Sequence, residues 1–115
     1  MAQEVKAKAR HIPISPQKAR LVIDLVRGKD VVDALDMLEF VPNRAARPVS
    51  KLIRSAIANA ENNVGLNRYD LVIHQLSADG GPTGKWRRFG ARGRVKPRLR
   101  RTSHLSIVLR EKEEA

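Results

Sequence analysis

The side chains of this chain that are best suited to bind a charged ligand are concentrated in one basic segment, residues 84–101. Nine of its eighteen residues are Lys or Arg, none is acidic, and the formal net charge of the whole chain is +11. Like charges repel and few apolar side chains offset the ordering entropy, so such a segment cannot collapse on itself. A polyanion neutralises the charge, and the release of its counterions drives association. Nucleic acid is therefore the first class of partner to consider.

The nine cations of this segment are the predicted phosphate-binding residues. Guanidinium groups suit bidentate contacts to phosphate and can also stack on bases. The simpler interpretation is a solvated charged loop, which nine cations without a single acid disfavour. The predicted set is Lys85, Arg87, Arg88, Arg92, Arg94, Lys96, Arg98, Arg100 and Arg101.

Two rings and two glycines interrupt the basic segment. Trp86 and Phe89 could stack on unpaired bases, or they could pack across the arms of a hairpin, and the sequence leaves both open. Gly90 and Gly93 would allow a turn with positive φ or a close approach to an RNA backbone. They also match the Gly-x-x-Gly loop of KH domains, but that loop needs a flanking helix on each side. Basic flanks and Pro97 argue against it.

A second, weaker basic cluster lies near the start of the chain. On the residues alone, an ordinary solvated surface explains it as well as RNA contact does. Its members are Lys6, Lys8, Arg10, Lys18 and Arg20.

Catalytic, metal and cofactor sites are not predicted. The three histidines, His11, His74 and His104, stand apart without ligands at metal-site spacing, so structural roles are expected for them. Asp79 lies near the basic segment, but a single carboxylate poorly supports two-metal nuclease chemistry. The absence of cysteine excludes disulfides and cysteine-ligated zinc. We therefore expect a protein that is not an enzyme.

The elements that must position these residues follow from hydrophobic periodicity. Alternation from Val5 predicts a short strand, and Ser15-Pro16 predicts a helix start. Apolar spacing at i, i+3 and i+4 predicts two further helices, the third being the most regular. Residues 71–78 and 102–110 are strand-like. If the last two strands pair, the basic segment becomes the distal part of a hairpin that could reach about 45 Å at ~3.3 Å per residue.

The predicted organisation is a single domain over residues 1–115. The body comprises residues 1–78 and 102–115, and the extended hairpin comprises about 79–101. No secretory signal and no apolar run of about 20 residues stands out in the sequence, so a cytoplasmic protein without a membrane partner is expected.

Several segments resemble the bacterial type of the twenty-second large-subunit ribosomal protein family. They occur in matching order and spacing: SPQKARLVIDLVRGK (15–29), SAIANAENN (55–63), DGGP (79–82), GARGR (90–94) and RRTSHLSIVL (100–109). The resemblance implies an α+β fold, with three helices packed on a small three-stranded antiparallel sheet and a long protruding basic β-hairpin. At the tip, GKW (84–86) and FGA (89–91) depart from the family pattern, so detailed tip contacts are not carried over.

The resemblance also implies a function and partners. Family members bind large-subunit (23S) rRNA during early assembly, and their hairpin lines the polypeptide exit tunnel. The hairpin lies close to that of the fourth large-subunit protein, the nascent peptide passes it, and macrolide antibiotics bind nearby. Trp86, Phe89, Gly90 and Gly93 are then candidates for the tip or the tunnel-facing surface. The alternative that composition leaves open is an architectural DNA-binding protein with β-ribbon arms.

Overall fold

The computed structural model describes residues 3–89 and 95–112. The order of elements is one strand, three helices, and four further strands, with a π turn and a 3₁₀ turn before the second strand. Their bounds are β1 Glu4–Ile12, α1 Pro16–Val26, α2 Val31–Glu39, α3 Ala46–Asn59, π turn Ala60–Val64, 3₁₀ turn Arg68–Asp70, β2 Leu71–Gly80, β3 Gly84–Phe89, β4 Val95–Arg100 and β5 Ser103–Glu111.

Helix α1 begins and ends as its sequence predicts. The Ser15 hydroxyl accepts a hydrogen bond from the Lys18 amide at 3.4 Å, and Pro16 occupies the first turn. Both features satisfy or remove amide groups that have no partner inside the helix. Gly28 follows the helix with φ of +80°, a conformation in which a side chain would be strained.

Helix α2 begins directly after Asp30, a residue type that often caps a helix, but the Asp30 side chain does not cap this one. Asp30 is the residue before the first turn, yet its carboxylate makes no capping hydrogen bond. It instead pairs with Lys112 at 2.8 Å. This hydrogen bond raises the pKa of the Lys112 ammonium, and the pair links the start of α2 to the end of β5.

Helix α3 presents its apolar stripe to the sheet, with Val49, Ile53 and Ala56 fully buried. Pro48 lies in the first turn, where the amide that proline lacks would have no partner inside the helix. The α-helical form ends at Asn59 and continues as one π turn. Gly65, with φ of +74°, then ends the helical stretch.

The central sheet is antiparallel with the order β1-β5-β2, so the last strand lies in the middle. Helix α3 packs across β1 and β5, and α1 packs on β2. Alternate residues of β5 are buried against the helices, including Leu105, Ile107 and Leu109. The predicted three helices on a three-stranded antiparallel sheet are therefore confirmed.

Ser103 lies on the buried face of β5, together with the leucines, and is completely buried. From its polarity, Ser103 is expected on the other face of β5 with His104 and Ser106, and the structure shows that this expectation is wrong. Its hydroxyl donates a hydrogen bond to the Ile14 carbonyl, so this buried polar group has a partner although no water reaches it. This contact fastens the start of β5 to the connection between β1 and α1.

Strands β3 and β4 form a second, two-stranded antiparallel sheet. The backbone register runs from Gly84 opposite Arg100 to Phe89 opposite Val95. At its base, the Gly81 amide donates to the Thr102 carbonyl at 2.9 Å, next to the last pair of the central sheet. A hairpin at residues 79–101 is consistent with this pairing; its length and projection from the body stay a prediction.

Candidate nucleic-acid interface

The cations predicted near the start of the chain lie on exposed positions. Lys6 and Lys8 alternate with Val5 and Ala7 along β1, and both lysines are exposed. Arg10 is exposed too and precedes a break in the pairing register between Ala9 and Ile12. The alternation of lysine with apolar residues thus leaves the predicted cations of β1 exposed.

Arg20 has a structural partner that the sequence did not indicate. Its Nε and Nη2 donate to the Ala78 carbonyl at 3.1 and 2.8 Å. Two helical turns later, Arg27 donates in the same way to the Leu76 carbonyl at 3.3 and 2.9 Å. β2 is an edge strand, so these carbonyls have no strand beside them. The two guanidinium groups supply hydrogen-bond donors to carbonyls at this edge of the sheet. RNA contact by Arg20 stays a prediction.

Lys18 and Arg101, far apart in sequence, line one groove. This groove, of about 800 Å³, lies between the β1–α1 connection and the α2–α3 connection. Arg44, from the α2–α3 connection, lines it as a third cation, and Pro13 and Leu21 contribute apolar surface. The fold therefore brings together one residue of the basic segment and one residue of the weaker cluster.

A second groove of about 580 Å³ adjoins the first and shares Pro13, Ile14 and Arg44 with it. Lys8 of β1 lines it, with Arg47 and Lys51 from the first half of α3. We call the two together the body groove. Among the residues that line it in the described part of the chain are six cations and no acid: Lys8, Lys18, Arg44, Arg47, Lys51 and Arg101.

Three of these cations were missed as site residues by sequence reasoning: Arg44, Arg47 and Lys51. The spacing of Arg47 and Lys51 by four residues was visible and puts them on one face of a helix. A polar helix face is usually only solvated, however, and nothing local shows that it borders the β1–α1 connection. In the described residues, the four ion pairs involve none of the six groove cations.

The base of the hairpin borders the body groove through Thr102. The Thr102 hydroxyl donates to the Pro82 carbonyl at 2.7 Å, and its backbone carbonyl accepts from Gly81. A Cβ at Gly81 would lie 2.5 Å from the Thr102 hydroxyl and 3.2 Å from the His104 ring. The base is thus closely packed, and Arg101 enters the groove directly beside it.

Two of the three histidines, His11 and His104, are structural partners of each other. The His104 Nδ1 accepts from the His11 amide at 3.2 Å, and the two rings meet edge to face with centroids 5.0 Å apart. His11 has φ of +57°, at the register break of β1. Within residues 3–89 and 95–112, no cluster of three or more His, Asp or Glu side chains could hold a metal ion.

The predicted hairpin residues divide into two groups. Those on β3 and β4 lie along a paired backbone, with Trp86 opposite Arg98 and Arg88 opposite Lys96. Their RNA contacts stay predictions, as do the alternatives for the two rings. On these strands lie Lys85, Trp86, Arg87, Arg88, Phe89, Lys96, Arg98 and Arg100. The predictions for Gly90, Arg92, Gly93 and Arg94 fall outside the described residues.

What the described arrangement can do is bind a polyanion along a continuous cationic surface. No helix in the described part of the chain is both long and apolar enough to cross a membrane.

A comparison with known families finds a match over residues 7–110 to the family described as ribosomal protein L22p/L17e. The matched stretch includes every helix, the basic segment and every cation of the body groove.

Proposed function

We propose that this chain, which belongs to the ribosomal protein L22p/L17e family, supports early assembly of the large ribosomal subunit and lines its polypeptide exit tunnel with the hairpin. The coarser role follows from membership itself: the chain is a structural constituent of the ribosome and binds rRNA. Within the proposal, the RNA is the large-subunit (23S) rRNA, and the protein resides in cytoplasmic ribosomes.

The observation that carries the proposal is the family match across both the body and the basic segment. The placement of the cations supports it. The body groove begins at Arg101, where the basic segment joins β5. An RNA that binds the hairpin therefore finds further positive charge on the body without a gap, which favours a large folded polyanion over a small anion.

The proposed protein partners are neighbours in the tunnel wall. They include the fourth large-subunit ribosomal protein near the constriction and the nascent peptide as it passes the hairpin. Macrolide antibiotics would bind nearby. Trp86 and Phe89 are candidates for the tip, but their detailed contacts are not carried over from the family, because the sequence departs from the family pattern at residues 84–86 and 89–91.

Binding to large-subunit rRNA and to duplex DNA at matched salt tests the choice of polyanion. We expect the full chain to prefer the folded rRNA. If six to ten phosphates are neutralised, affinity should fall about 10³–10⁵-fold between 50 and 200 mM salt. Equal or tighter binding to the DNA duplex, with a chain that forms dimers, would instead support a β-ribbon DNA-binding protein. A flat salt response would contradict phosphate binding altogether.

A further inference from the structure

The body groove combines two kinds of surface that a nucleic-acid strand requires. Its six cations are all exposed, and they come from β1, α1, the α2–α3 connection, α3 and the base of the hairpin. Between them lie apolar residues, among which Ile12, Leu21 and Leu52 line the two parts of the groove. Phosphates can therefore pair with the cations while sugars or bases cover the apolar surface.

The dimensions of the body groove favour one strand over two. Its two parts, about 800 and 580 Å³, are of the size of pockets that hold individual small ligands. Each part can therefore hold an individual nucleotide, which an unpaired strand can supply and a base-paired helix cannot. Double-stranded RNA is mostly bound by shape across its wide minor groove, and unpaired bases are the ones that can be splayed into pockets.

We infer that the body groove binds an unpaired segment of rRNA, with Arg44, Arg47 and Lys51 as phosphate contacts beside Lys18 and Arg101. The inference rests on the proposed function, because it names where on the body the same RNA is held. Each phosphate contact to a single strand contributes about 0.7 to the slope of log affinity against log salt. Residues of the helix α3 surface thereby join those of the hairpin in one interface.

Salt-dependent binding of the full chain to large-subunit rRNA tests the inference with two matched variants. R47Q/K51Q removes two groove cations, and K29Q/R54Q removes two exposed cations that do not line the groove. We expect the first to lower the slope by about 1.4, so that its affinity loss between 50 and 200 mM salt is about sevenfold smaller than for the wild type. We expect the second to keep the wild-type slope.

The outcomes separate the two proposals. Equal slopes for both variants and the wild type, or equal losses in both variants, would overturn the groove inference while rRNA binding stands. Failure of the wild-type chain to bind large-subunit rRNA in a salt-dependent way would overturn the proposed function itself. Reduced binding by R47Q/K51Q alone, with unchanged thermal unfolding, supports the groove.

Cleavage from a tethered radical source tests which form of RNA occupies the groove. The chain has no cysteine, so S55C introduces a single labelling site at a residue that lines the groove. With Fe-EDTA attached to S55C in assembled large subunits, we expect cleavage in an unpaired rRNA segment. Tyr69→Cys is the control, because Tyr69 is exposed near the opposite end of the sheet, and we expect no cleavage of that segment from it. Cleavage confined to a continuous duplex, or no rRNA cleavage from S55C, would overturn the inference.

Discussion

At the scale of single residues, Gly81 decides how tightly the base of the hairpin can close. It is the glycine whose missing side chain leaves room for the Thr102 hydroxyl and the His104 ring. Thr102 is held in place by its hydrogen bond to Pro82, so it cannot move away freely. Gly81 does not have a positive φ, so close packing and not backbone conformation explains the glycine at this position.

Substitution of Gly81 by alanine should therefore destabilise the protein. A methyl group would overlap the Thr102 hydroxyl, and overpacking of this kind costs about 1–3 kcal/mol. Gly80→Ala is the matched control, because a Cβ there meets nothing within 4 Å. The free energy of unfolding in urea measures both. Equal stability of the two variants would contradict a packed hairpin base.

Arg20 gives the second prediction, since it could serve either the fold or the RNA. Arg20→Lys keeps the charge but loses the planar fork that reaches the Ala78 carbonyl. We expect a loss of about 1 kcal/mol in unfolding free energy, the typical net value of a hydrogen bond and less than that of a buried charged one, because the residue is exposed. Lys18→Arg is the control on the same helix. Unchanged stability together with weaker rRNA binding would assign Arg20 to the RNA instead.

At the scale of elements, two ion pairs fasten neighbouring segments of the fold. Glu4 of β1 lies 2.5 Å from Arg110 of β5, and the hydrogen bond from Arg110 lowers the pKa of the Glu4 carboxyl below 4.5. Glu61, in the π turn, has its pKa lowered in the same way by Arg68 at 2.7 Å. The first pair joins two neighbouring strands that are far apart in the sequence, and the second joins the π turn to the 3₁₀ turn.

The pH dependence of stability should show these pairs. A carboxyl whose pKa is lower in the folded chain contributes stability above about pH 4.5, and that contribution is lost as the pH falls through its folded pKa. E4Q/E61Q should therefore flatten the fall of the urea midpoint below pH 4.5. Glu39→Gln, outside the four ion pairs, is the control. The same acid slope in the wild type and the double variant would contradict this account.

Sequence patterns predicted the elements well where a local signal exists. Ser15-Pro16 marks the start of α1, and the regular apolar spacing of α3 predicts its buried face. The patterns could not show that Ser103 is buried, because its partner is the Ile14 carbonyl in a distant connection. For the same reason the site prediction missed Arg44, Arg47 and Lys51, because the groove that they line forms only when distant parts of the chain come together on folding.

At the scale of the whole molecule, the cations of the sequence's basic segment and of the body groove share Arg101. The basic segment supplies nine cations, and the body groove continues from Arg101 across the body to Lys51. The acidic residues that form ion pairs lie elsewhere, at Asp24, Asp30, Glu4 and Glu61. A surface that keeps its cations unneutralised by its own acids is suited to neutralise phosphates of a larger partner.

The most direct test of the central claim is sedimentation of the tagged chain from lysate through a sucrose gradient, with and without ribonuclease. We expect co-migration with large subunits and with 70S particles, and loss of that co-migration after ribonuclease treatment. Migration at the top of the gradient, or with material that is sensitive to deoxyribonuclease, would contradict it.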